Sequence, residues 1–94
     1  MSQWNPALIS RLTDTIECRN GIILRLTHFF TDPCPTCQVA IITKTGARLA
    51  FGRGTYETTA QARSIAINIA FKLNDTAVRD SVLYNLYNVD WDYF

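Results

Sequence analysis

Residues 38–73 constrain the fold of this chain more than any other stretch. Val39, Ala40, Ile41 and Ile42 form a largely β-branched run, and Lys44-Thr45-Gly46-Ala47 follows as a turn in which Gly46 can take a positive φ. Arg48-Leu49-Ala50-Phe51 then alternates, so a regular strand would place Leu49 and Phe51 on one face and Arg48 and Ala50 on the other. Gly52-Arg53-Gly54 is expected to stop that strand. Thr58 or Thr59 is a suitable cap for the helix after it. In that helix Ala62, Ala66 and Ala70 recur every four residues, flanked by Ile65, Ile69 and Leu73. Small residues stacked on one stripe let a helix lie close to a sheet. Ile67 and Phe71 fall on another face that also needs cover, which suggests a helix with a sheet on one side and a second helix on the other.

The flanking segments are read less sharply. Asn5-Pro6 suits a helix start, Leu8, Ile9, Leu12 and Ile16 have helical spacing, and Asn20-Gly21 suits a helix stop, so residues 6–18 are expected to be helical. Asn-Gly is also a strong hairpin signal, and the rival has residues 12–19 paired with 22–29 as an added strand. Residues 22–30 form a strand on either reading, and 31–38 a loop with two prolines. Asp75-Thr76 starts a last helix carrying Val78, Val82 and Leu86 on one face. The expected fold is α+β: a three-stranded antiparallel sheet with helices packed on one face, in the order α-β-β-β-α-α.

At 94 residues the chain is expected to be a single domain, residues 1–94, and its 48% apolar content suits a folded core. No apolar run approaches the roughly 18 residues that span a bilayer, so no membrane partner is expected. The N-terminal residues lack the basic-then-apolar pattern of a secretory signal, and the odd count of three cysteines suits a reducing, cytoplasmic setting. The net charge of +1 argues against strong polyanion binding. Even so, residues 44–72 carry Lys44, Arg48, Arg53, Arg63 and Lys72 against Glu57, while residues 73–94 carry Asp75, Asp80, Asp90 and Asp92 against Arg79.

No catalytic motif stands out, and neither an enzymatic activity nor a cofactor is expected. Cys34-Pro35-Thr36-Cys37 falls between two strands rather than at the strand-to-helix turn of a redox pair. As a zinc site, Cys34, Cys37 and His28 would still need a fourth ligand. Gly52-Arg53-Gly54 lacks the remaining residues of a phosphate-binding loop. Asp90, Trp91, Asp92, Tyr93 and Phe94 form an aromatic, acidic tail and are the candidate protein-binding residues, since aromatics are enriched at interface cores. The competing reading folds the aromatics back onto the core. Lys44, Arg48, Arg53 and Arg63 are the candidate residues of a weak nucleic-acid-binding alternative.

Gly52-Arg53-Gly54 followed by Ala62-Arg63-Ser64-Ile65-Ala66-Ile67-Asn68-Ile69-Ala70-Phe71 resembles the turn and last helix of double-stranded-RNA-binding domains, over about residues 6–73. Arg63 falls on a lysine position of that family, whereas Thr59-Ala60-Gln61 stands where its paired lysines grip phosphates. The resemblance implies the α-β-β-β-α order and phosphate contacts to duplex RNA. By size and layout alone the chain is also similar to small phage anti-CRISPR inhibitors, which implies a protein partner in nucleic-acid-handling machinery. A non-enzymatic protein-binding domain, an inhibitor or adaptor open to pairing with a second copy of itself, is therefore the leading expectation. A weak double-stranded nucleic-acid binder and a small zinc protein are the alternatives.

Overall fold

The computed structural model describes residues 11–30, 33–89 and 91. Strands β1 (Arg11–Glu17), β2 (Ile22–Phe29), β3 (Thr36–Thr43) and β4 (Arg48–Thr55) precede helices α1 (Thr59–Ala70) and α2 (Thr76–Asn88). The sheet is antiparallel throughout, in the order β1-β2-β3-β4. The α+β class and the antiparallel sheet agree with expectation. The strand count does not: among the described residues there are four strands, in the order β-β-β-β-α-α.

The added strand is the rival hairpin. Residues 11–17 pair with β2, from Arg11 opposite Phe29 to Glu17 opposite Ile23, where a helix over 6–18 was expected. Residues 6–10 lie outside the described residues. Leu12 and Ile16 share a face in a helix and equally in a strand, because a spacing of four fits both periods. The turn decides locally. Asn20 and Gly21 both have positive φ, 62° and 71°, and the Ile22 N–H closes the turn onto the Arg19 carbonyl. That is the backbone an Asn-Gly hairpin favours.

One face of the sheet is covered. Leu24, Leu26 and His28 of β2, Cys37, Val39 and Ile41 of β3, and Ala50 of β4 are buried there. α1 lies over β3 and β4, and α2 packs along α1 and reaches the turn after β1, where the Arg19 N–H donates to Ser81 Oγ at 3.1 Å. The alanine stripe behaves as its spacing suggests: Ala62, Ala66 and Ala70 are all buried. Phe71 differs, standing 56% exposed with the Arg79 guanidinium 5.9 Å from its ring centre.

Gly52 and Gly54 do not end β4; they lie inside it and seat α1. A Cβ on Gly52 would stand 2.8 Å from Ile69 Cδ1, and one on Gly54 3.2 Å from Ile65 Cδ1. The glycines let two backbones approach, which explains a Gly-x-Gly string with no phosphate chemistry. Both helices are capped from their own sequence. Thr58 forms a capping box with Gln61, and Asp75 Oδ1 accepts the Ala77 and Val78 N–H groups at 2.9 and 3.2 Å.

Candidate functional site: the open face of the sheet

The second face of the sheet carries no described helix. Strand pairing arranges its side chains in rows. Arg11, Phe29, Thr36 and Thr55 form the first, and Thr13, Thr27, Gln38 and Arg53 the second. Thr15, Arg25, Ala40 and Phe51 form the third, and Glu17, Ile23, Ile42 and Arg48 the fourth. Among the described residues, four of the chain's nine Lys and Arg residues thus share this face with one acid, Glu17. All four arginines are exposed.

A bulge completes the arrangement. Ile41 faces Ala50 but Ile42 faces Arg48, so Leu49 is an extra residue in β4. In a regular strand Arg48 and Phe51, three residues apart, would point to opposite faces. The bulge turns Arg48 onto the open face, where its guanidinium lies 4.4 Å from the centre of the Phe51 ring. Bulges commonly re-aim a side chain in this way. The expected grouping of Arg48 with Ala50 therefore fails: Ala50 is buried in the core, and Phe51 is 38% exposed beside Arg48. At the other end of the face, Phe29, Thr36, Arg53, Gly54 and Thr55 line a shallow depression. Thr27 is buried between them and Arg25, and the Thr13 hydroxyl donates to its Oγ1 at 3.3 Å.

The structure divides the four cations expected to act together. Arg48 and Arg53 stand on the open face. Arg63 is exposed on α1, on the covered side of the sheet. Lys44 lies in the β3–β4 turn, its N–H donating to the Gly21 carbonyl at 3.0 Å. Arg11 and Arg25 were missed as partners of Arg48 and Arg53. The alternation Leu24-Arg25-Leu26 carries the signal for Arg25, but Arg11 is placed only once residues 11–17 are known to be a strand.

The C-x-x-C motif and His28 do not converge on one point in the described geometry. Among the described residues no three His, Cys, Asp or Glu side chains gather closely enough to hold a metal ion. Cys37 points into the core, and burial pushes its thiol up to about 12, so the thiolate a metal needs is disfavoured. Cys34 lies in the preceding loop, half-buried beside Tyr56 and Glu57. His28 Nδ1 shares a 2.8 Å hydrogen bond with the Tyr56 hydroxyl, the two rings meeting edge to face at 5.5 Å. Burial lowers His28 to about 4; burial, then the neighbouring Cys37, raises Tyr56 to about 12. Both are therefore neutral at pH 7, a polar pair that packs one end of the core. Tyr56 had no sequence signal as a partner of His28.

Of the tail, Trp91 is 7% exposed and its indole N–H donates to the Leu86 carbonyl at 3.0 Å. The indole closes the core instead of facing a partner. Asp90, Asp92, Tyr93 and Phe94 lie outside the described residues. Comparison with family models, curated proteins and solved structures finds no match to this chain.

Proposed function

We propose that the chain is a non-enzymatic binding domain whose open sheet face holds nucleic acid. The observation that carries this reading is the separation of charge: among the described residues Arg11, Arg25, Arg48 and Arg53 share one surface with a single acid, Glu17, although the chain's net charge is only +1. A basic face on a near-neutral protein favours a polyanion through local contacts and gives weak affinity that falls with salt. Thr13, Thr15, Thr55 and Gln38 add hydroxyl and amide groups suited to phosphate, sugar and base edges. The test is fluorescence anisotropy with labelled oligonucleotides between 50 and 200 mM salt. Engagement of most of the arginines gives a slope of log K against log salt near −3, by the usual ~0.7–0.9 per phosphate neutralised. No binding at low salt removes the reading.

A protein partner is the second reading, and one observation favours it. Tyr84 and Tyr87 on α2 are 68% and 60% exposed, one helical turn apart, and exposed tyrosines are common interface anchors. This surface would serve the inhibitor or adaptor role, with Asp90, Asp92, Tyr93 and Phe94 as further candidate contacts or a second copy of the chain as partner. Replacing both tyrosines by alanine should then abolish capture of that partner and leave oligonucleotide binding unchanged.

A further inference from the structure

Resting on that nucleic-acid reading, we infer that the open face takes a single strand of DNA or RNA, with its bases stacked at Phe51–Arg48 and Phe29, and does not take a duplex. Three observations carry this inference.

The first is width. Four strands spaced about 4.8 Å apart make a face about 14 Å across before side chains are added. The major groove of a DNA duplex is about 12 Å wide and admits a helix or a two-stranded ribbon. This sheet cannot enter it. Both terminal strands carry arginines, Arg11 on β1 and Arg48 and Arg53 on β4, so the cations span the whole width instead of lining one narrow edge.

The second is the aromatic placement. Phe29 on β2 and Phe51 on β4 stand two rows and two strands apart, a diagonal of about 16 Å by ordinary sheet dimensions. Aromatic rings on a four-stranded sheet stack two or three unpaired bases, which a duplex keeps buried within its own stack. Arg25, in the row of Phe51, and Arg53, in the row between the rings, lie along the path that the backbone linking such bases would follow.

The third is the bulge. It exists at the one place where it brings a guanidinium over a ring, 4.4 Å from the Phe51 centroid. A guanidinium plane is itself a stacking surface for bases, so the pair offers a preformed platform with a positive charge on it. The same bulge keeps Arg48 off the covered face while Ala50 stays in the core, and it leaves both members of the pair exposed.

The experiment uses the full chain and four fluorescein-labelled or competing polyanions at 50 mM salt: a dT12 strand, an rU12 strand, a 12-base-pair mixed duplex and poly-glutamate. At least one single strand is expected to bind at least tenfold tighter than the duplex and poly-glutamate, and the tighter of the two strands names the natural chemistry. Phe51→Leu should weaken single-strand binding by fivefold or more, within the range of one lost base stack, with an unchanged thermal midpoint. Arg25→Gln should weaken single-strand binding and lower its salt slope by about one. Duplex binding equal to or tighter than single-strand binding overturns this inference and leaves the nucleic-acid reading standing. So does a Phe51→Leu variant with full single-strand affinity. Poly-glutamate binding as tightly as any oligonucleotide, or no oligonucleotide binding at all, overturns both.

Discussion

The covered and open faces of this sheet come from the same strands and obey different rules. On the covered face Leu24, Leu26, Val39 and Ile41 are fully buried, and Gly52 and Gly54 leave room for α1. On the open face the positions between them hold Arg25, Gln38, Ala40 and Arg53. The first set is limited by volume, because a packed interior tolerates neither a void nor an extra methyl group. The second is limited by charge and shape toward a partner, because exposed side chains contribute little to stability. The comparison teaches that substitutions one residue apart in β2 or β4 should separate folding from binding.

The largest effect is expected from Leu24→Ala, which should cost about 2–5 kcal/mol in a urea titration, since Leu24 is wholly buried at the sheet centre. A loss below about 1 kcal/mol would mean that the covered face is not the core. Next is pH. The folded protein holds His28 near 4 against 6.5 when exposed, so the unfolded chain takes up the proton first. The stabilising contribution is complete above pH 6.5 and is lost as the pH falls toward 4. Between pH 7.5 and 4.5 the loss should be roughly 2–3 kcal/mol, read from urea midpoints, and a His28→Gln variant should lose much of that dependence.

Smaller is Gly52→Ala, at about 1–2 kcal/mol, because its methyl would press on Ile69 within a closed contact. Gly54→Ala should cost less, its nearest contact being 3.2 Å rather than 2.8 Å. Equal costs at the two glycines would break the account of how α1 is seated. Smallest in stability is Arg53→Gln, expected to shift the unfolding free energy by no more than about 0.5 kcal/mol. In binding it should lower the salt slope by about one. An arginine whose removal unfolds the protein would erase the distinction between the two faces.

Much of the covered face was legible from local pattern. The Ala62-Ala66-Ala70 stripe, the Thr58 and Asp75 caps and the turn at residues 44–47 appear where spacing and turn chemistry put them, and the strand expected over residues 22–30 runs from Ile22 to Phe29. The open face was legible in fragments. Arg48 and Arg53 were paired with Arg63, which the fold sends to the opposite side of the sheet, because charge counted along the chain ignores which face a residue occupies. Trp91 looked like a contact residue from its neighbours, yet its indole finds the Leu86 carbonyl at the end of α2. A buried position and an interface position make the same demand of an aromatic side chain, and only the surrounding structure separates them.

By itself the sequence determined what is set within a few residues: the turn at residues 44–47, the helix caps and the small-residue stripe that demands a close neighbour. Tertiary structure decided what depends on partners distant along the chain. Residues 11–17 satisfy a helical and a strand period alike, and become a strand because β2 offers a ladder of backbone groups. Arg48 joins Phe51 on the open face because β4 gains a residue against β3 to keep Ala50 in the core. Backbone hydrogen bonds and volume, summed across the sheet, outweigh the regular alternation of any single strand.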